Sequence, residues 1–268
     1  MGVVYHALHE PLERQVALKL IAPDLSADPV FRSRFQRECR AAASIQHPHV
    51  VPIYHAGEEQ GLLYVTMQYV EGADLGRVLA LEQTLAPARA ASLVADLAGG
   101  IDAAHRLGIV HRDVKPANVL IELRDEAMFP FLTDFGLAKC VTSTSQMTRT
   151  GAILGTMDYA APEQLEESEI DGRTDVYALG CLLFHTLTGR VPYPRETNAA
   201  KILAHLSAPP PSVTDLAPEV PAALGAVVER AMCKDPAGRF ESAGELGRAA
   251  LAAVSNGTAV PADGPLPD

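Results

Sequence analysis

Near Gly72 the spacing of apolar residues changes, and that change constrains the fold more than any other feature of the 268-residue chain. Before it, the apolar runs are short and rich in β-branched and aromatic residues, at 3–5, 16–21, 50–54 and 62–70. Runs of that kind predict strands. Between the second and third, Phe31, Phe35, Cys39 and Ala42 recur at three- and four-residue spacing opposite Arg32, Arg34, Gln36 and Arg40. That period predicts one amphipathic helix. Beyond Gly72 the pattern is helical at 87–107, 174–188, 222–233 and 242–254, interrupted by two short apolar strands at 119–123 and 129–133. The predicted class is α+β: a small β-rich lobe over 1–71 with one helix, and a larger, mostly helical lobe over 72–254. A chain of this length can bury a real core as one domain. The stretch 255–268 is rich in Pro, Gly and Ala and reads as a disordered tail or linker.

The formal net charge of −11 argues against a nucleic-acid partner, whose polyanionic backbone needs a basic face. The longest apolar stretch, 178–184, is far shorter than the roughly 18 residues a membrane crossing takes, so no membrane segment is expected in this chain. A start of Met1-Gly2 with His6 at the sixth position does not fit the myristoylation pattern. Cys39, Cys140, Cys181 and Cys233 form no C-x-x-C pair, so neither a zinc site nor a disulfide framework is indicated. A reducing compartment, the cytoplasm, fits them. His47 and His49 flank Pro48 and read as a turn rather than as metal ligands.

The two short strands adjoin clusters of charged residues, where loops on a rigid scaffold can aim polar groups at a substrate. His111 to Asn118 spell HRDVKPAN just before one strand, and Asp134 to Gly136 spell DFG just after the other. Taken alone, an Asp after Arg is a solvated loop pair and a DFG is a turn; in order on one chain, with Val16 to Lys19 (VALK) upstream and Ala161-Pro162-Glu163 downstream, they become specific. The set resembles the protein kinases, and among them the bacterial serine/threonine group, over residues 1 to about 254. The resemblance implies a bilobal kinase fold with ATP and Mg²⁺ (or Mn²⁺) as cofactors and protein serine or threonine hydroxyls as acceptors.

Phosphoryl transfer asks mainly for positioning and charge neutralisation. By resemblance, Asp113 accepts the proton of the attacking hydroxyl, and Lys115 neutralises charge on the transferred phosphate. Asn118 and Asp134 offer oxygen ligands to the metal. Lys19 holds the α- and β-phosphates, and Glu38 aims that lysine through an ion pair. Gly2, Val4 and Ala17 belong to the nucleotide site, with Met67 at the back of the adenine pocket and Gln68, Tyr69 and Val70 as the hinge. Lys115 favours serine/threonine over tyrosine acceptors. Glu163 with Arg239 is the expected buried ion pair, and Asp175 the expected prop of the catalytic loop. Thr148 and Thr150 are the expected autophosphorylation sites, with self-association for transfer in trans and Arg112 as a phosphate partner. Thr156 shapes the acceptor site.

The family's phosphate-covering loop survives only at its end, in Gly2 and Val4, and the strand before it is missing. The start either lies further upstream or belongs to a shortened enzyme. A binding module without transfer activity, resembling the pseudokinases, is the alternative; Lys19, Glu38, Asp113, Asn118 and Asp134 together speak against it.

Overall fold

The computed structural model describes residues 2–125, 127–135, 157–166 and 168–255. Gly136, Cys140, Thr148, Thr150, Thr156 and the tail from 256 lie outside the described residues. Alternation of side chains and short connections make strands β1 (Val3–His9) and β2 (Arg14–Leu20), then helices α1 (Pro23–Ser26) and α2 (Pro29–Ala43), then strands β3 (Ile53–Glu59) and β4 (Leu62–Gln68). The strands form one antiparallel sheet in the order β1-β2-β4-β3. Helix α2 starts where Asp28 accepts a hydrogen bond from the Val30 N–H and Pro29 fills the first turn, where its missing donor costs nothing. Its stripe of Phe31, Phe35, Cys39 and Ala42 is buried. The first three pack with Leu63, Val65 and Met67 of β4 into the core of the small lobe.

The run 50–54 is shorter as a strand than its composition predicts. Pro52 has no N–H to give a ladder, so β3 begins at Ile53, and Val50 pairs instead with Leu132 of the other lobe. Similarly, β4 ends at Gln68 rather than at Val70. The helix before the tail also runs through Ser255, one residue into the stretch read as tail.

Beyond Gly72 come β5 (Ala73–Asp74), α3 (Leu75–Glu82), α4 (Pro87–His105), β6 (Val119–Arg124) and β7 (Ala127–Leu132). The helices α5 (Pro162–Leu165), α6 (Gly172–Thr188), α7 (Asn198–Ser207), α8 (Ala222–Ala231) and α9 (Ala243–Ser255) complete the larger lobe. Helix α6 is buried on nearly every side, as a helix apolar all round must be, and α4, α8 and α9 pack about it. Strands β5, β6 and β7 form a small antiparallel sheet on this lobe. The lobes meet at β7: the Val51 N–H donates to the Leu132 carbonyl at 2.9 Å, and the Leu132 N–H donates to the His49 carbonyl at 2.8 Å. Residues 133–135, which follow β7, are thereby delivered beside the small sheet.

Candidate active site

Antiparallel register places Val4 opposite Lys19, Lys19 opposite Val65, and Ala17 opposite both His6 and Met67. Directly paired residues project to the same side of a sheet, so Val4, Ala17, Lys19, Val65 and Met67 share one face. Gly2 stands where a Cβ would meet the Leu20 carbonyl oxygen at 1.5 Å, so only glycine lets β1 approach β2 this closely there. Met67 lines a small cavity with Ala42, Val51, Ile53, Thr133 and Phe135. The Gln68 N–H is bonded to the Pro52 carbonyl, Tyr69 stacks on His6 with ring centroids 4.0 Å apart, and Val70 packs against the small-lobe core.

Across the cleft the groups converge. The Lys19 ammonium lies 2.6 Å from Asp134 Oδ1. Asn118 Nδ2 donates to Asp113 Oδ2 at 2.9 Å and to the Asp113 carbonyl at 2.7 Å, and Lys115 Nζ lies 2.8 Å from the same Oδ2. The Thr133 N–H donates to the Asn118 carbonyl at 3.0 Å, which ties the two loops together one residue before Asp134. Lys19, Asp134, Asn118, Asp113 and Lys115 are thus linked in one chain of contacts.

Glu38 departs from expectation. Its carboxylate pairs with Arg37 at 3.0 Å, and Lys19 pairs with Asp134 instead. Coulomb attraction falls with distance, so the carboxylate brought to 2.6 Å takes the ammonium, and Glu38 is met by the adjacent guanidinium.

The loop that carries His111 to Asn118 is held by a carboxylate that is fully buried. Asp175 Oδ1 accepts from the Arg112 N–H at 2.8 Å, while Oδ2 accepts from the His111 N–H at 2.8 Å and meets His105 Nε2 at 2.7 Å. His111 carries a role its string alone does not disclose. Its Nδ1 accepts from the Asp113 N–H, which assigns the proton to Nε2, and Nε2 then donates to the Thr133 carbonyl at 2.9 Å. One imidazole therefore fixes the distance between the two charged loops. Phe135 packs edge-on against that ring, centroids 4.6 Å apart.

Glu163 and Arg239 form a forked pair, Nη1 to Oε1 at 2.7 Å and Nη2 to Oε2 at 2.8 Å, and Thr174 Oγ1 adds a third bond to the carboxylate. Burial pushes the Glu163 carboxyl up, but the Arg239 bonds and charge outweigh it and hold it below its usual range. Gln164 donates through Nε2 to the Arg112 carbonyl at 2.9 Å. Neither His111 nor Gln164 was assigned a role from the sequence; their partners lie 22 and 52 residues away, beyond any local pattern.

The donor set suits phosphate and a hard cation. Asn118 spends its amide N–H bonds on Asp113, so its carbonyl oxygen is the atom that could hold a cation, and Asp134 could add a carboxylate oxygen.

Comparison with known proteins gives the family and the fold. A family model described as "Protein kinase domain" matches residues 1–246. Serine/threonine-protein kinase PknH of Mycobacterium bovis is 44% identical over 256 residues, covering 96% of this chain and 42% of its own length. PknJ of the same organism is 43% identical over 262 residues, covering 96% and 44%. The chain thus spans less than half the length of these curated relatives. The crystal structure of the Mycobacterium tuberculosis PknI kinase domain superposes with a TM-score of 0.75 at 34% identity, covering 95% of this chain and 91% of that one.

Proposed function

The chain belongs to the protein kinase family, and from that premise we propose that it transfers the γ-phosphate of ATP to serine or threonine hydroxyls of proteins. The single observation that carries this reading is the convergence of Lys19, Asp134, Asn118 and Asp113 in one cleft. The printed names of the similar mycobacterial proteins support the serine/threonine class.

Asp113 accepts the hydroxyl proton and orients its oxygen for in-line attack. Lys115, already against that carboxylate, neutralises charge on the phosphoryl group as the bond to the leaving diphosphate breaks. Lys19 holds the α- and β-phosphates beside Asp134. Val4, Ala17 and Met67 cover the nucleotide from the sheet side, and the backbone of 68–70 binds the base. Asn118 Oδ1 and Asp134 would hold Mg²⁺, which supplies charge neutralisation across the phosphates. We further assign activation to autophosphorylation at Thr148 and Thr150, in trans between two copies, and acceptor shaping to Thr156. A cytoplasmic setting supplies the ATP.

Incubation with γ-labelled ATP and myelin basic protein tests the proposal. Label is expected in acceptor serine and threonine, and Asp113→Asn is expected to lower the rate by about 10²-fold or more. Wild-type protein that transfers nothing would instead favour a binding module.

A further inference from the structure

The segment 157–166 borders the catalytic loop, because Gln164 reaches the carbonyl of Arg112, the residue before Asp113. Its later half is anchored by the buried Glu163–Arg239 fork. The earlier half is held differently. In the 3-10 turn Met157–Tyr159, Met157 and Tyr159 are buried and the Tyr159 hydroxyl meets His185 Nδ1 at 2.6 Å. Asp158 Oδ1 is buried with no hydrogen-bond partner of good geometry, and what meets it is the charge of Lys201 Nζ, 2.6 Å away. Both side chains are largely covered, at 12% and 14% exposed. A carboxylate so placed is unfavourable unless an opposite charge compensates it, so Lys201 is what allows the turn to sit there.

Lys201 is on α7, and α7 is itself fastened to the lobe. His205 Nδ1 meets the Tyr177 hydroxyl at 2.9 Å, and Lys234 Nζ donates to the Ala204 carbonyl at 3.4 Å. The Tyr193 hydroxyl donates to the Pro209 carbonyl at 3.2 Å. The Lys234 carbonyl in turn accepts from Arg239 Nη2 at 2.9 Å, the same arginine that holds Glu163. A circuit therefore runs from Asp158 through Lys201, α7, Lys234 and Arg239 to Glu163, and the chain from 158 to 163 closes it. The Lys201–Asp158 pair is the link that reaches the turn Met157–Tyr159, at the start of the segment that Gln164 ties to Arg112. Among the described residues, Lys201 touches none of Lys19, Asp113, Asn118 and Asp134.

We propose that Lys201, acting through Asp158, is a positioning residue for the protein acceptor, fixing the segment against which the acceptor chain lies; this rests on the protein-kinase reading. It leaves the nucleotide and the reacting atoms alone, so its loss weakens acceptor binding without slowing the chemical step. The test is steady-state transfer from γ-labelled ATP to myelin basic protein, varying each substrate while the other saturates. Lys201→Met, which keeps most of the stem, is expected to raise KM for the acceptor about tenfold while kcat and KM for ATP stay within about twofold. Lys201→Arg is expected to restore the acceptor KM. Asp158→Asn combined with Lys201→Met should be no worse than Lys201→Met alone, since the two act as one unit. An unchanged acceptor KM in a folded Lys201→Met protein overturns the assignment to Lys201 and leaves the kinase reading standing. A uniform fall in kcat together with lost thermal stability, unrepaired by Arg, overturns it in favour of a purely structural pair. Absence of transfer by the wild type overturns both.

Discussion

Arg112 and Asp134, which lie next to the two charged clusters of the cleft, both adopt left-handed backbone, with φ of 68° and 67°. A non-glycine residue in that region costs on the order of 1–3 kcal/mol and persists only where its surroundings over-determine it. For Arg112 the determinant is Asp175, whose two oxygens take the N–H groups of His111 and Arg112. Asp175→Ala would leave two buried donors unpaired, at about 1–3 kcal/mol each, and release the strain at Arg112. The expected outcome is a loss of about 2–4 kcal/mol in urea unfolding, together with a fall in kcat beyond what unfolding explains. Burial likewise decides which ion pairs matter. Glu163→Gln strands the buried Arg239 guanidinium and should cost about 3–5 kcal/mol. Arg77→Ala removes a pair whose arginine is 79% exposed, and its thermal midpoint should hardly move.

Helix α2 and helix α7 show why one element is legible in sequence and another is not. The inward stripe of α2 is Phe31, Phe35, Cys39 and Ala42, so its period is visible in the letters and its boundary follows from Asp28 and Pro29. Phe35→Ala, at a side chain only 1% exposed, is expected to cost about 3–5 kcal/mol in chemical denaturation. Helix α7 buries Ala204 and His205 and turns Leu203 outward, so its apolar residues do not mark its packed side. The same limit applies to the site. HRDVKPAN and DFG name Asp113, Asn118 and Asp134, but the partner of Lys19 is 115 residues away, and the choice of Asp134 over Glu38 is a matter of three-dimensional distance.

The polar anchor of α7 also gives the protein an acid limit. Burial, then the nearby charge of Lys234, pushes the His205 imidazole down to about 4. The unfolded chain binds that proton from about pH 6.5 downward while the folded chain refuses it, so stability is full above 6.5 and is lost as pH falls toward 4. Glu163, held below its ordinary value, acts in the same direction at the acid end, because its contribution is present when ionised and lost on protonation. The thermal midpoint should therefore drop on acidification through this window, and His205→Asn should flatten the slope.

At the scale of the whole molecule, the lobes are joined where Val51 and His49 bond to Leu132, and that junction sets the cleft into which β2 sends Lys19 and β7 sends Asp134. Two-lobed organisation was legible from the change of period at Gly72. The junction that shapes the cleft was not, since it depends on Pro52 delaying the start of β3 to Ile53, which leaves Val50 and Val51 to pair across the lobes. If Thr148 and Thr150 are the activating sites, the Thr148→Ala/Thr150→Ala protein should transfer phosphate at least about tenfold more slowly than wild type after preincubation with ATP. Both lobes must contribute to one nucleotide site for any of this to hold. Calorimetric titration with a non-hydrolysable ATP analogue and Mg²⁺ reads that directly. A single site is expected, weakened about tenfold or more by Lys19→Met from the small lobe and by Asp134→Asn from the large one, in protein that still unfolds cooperatively. Undiminished binding in either variant would mean that the two lobes do not share the nucleotide, and would contradict the account.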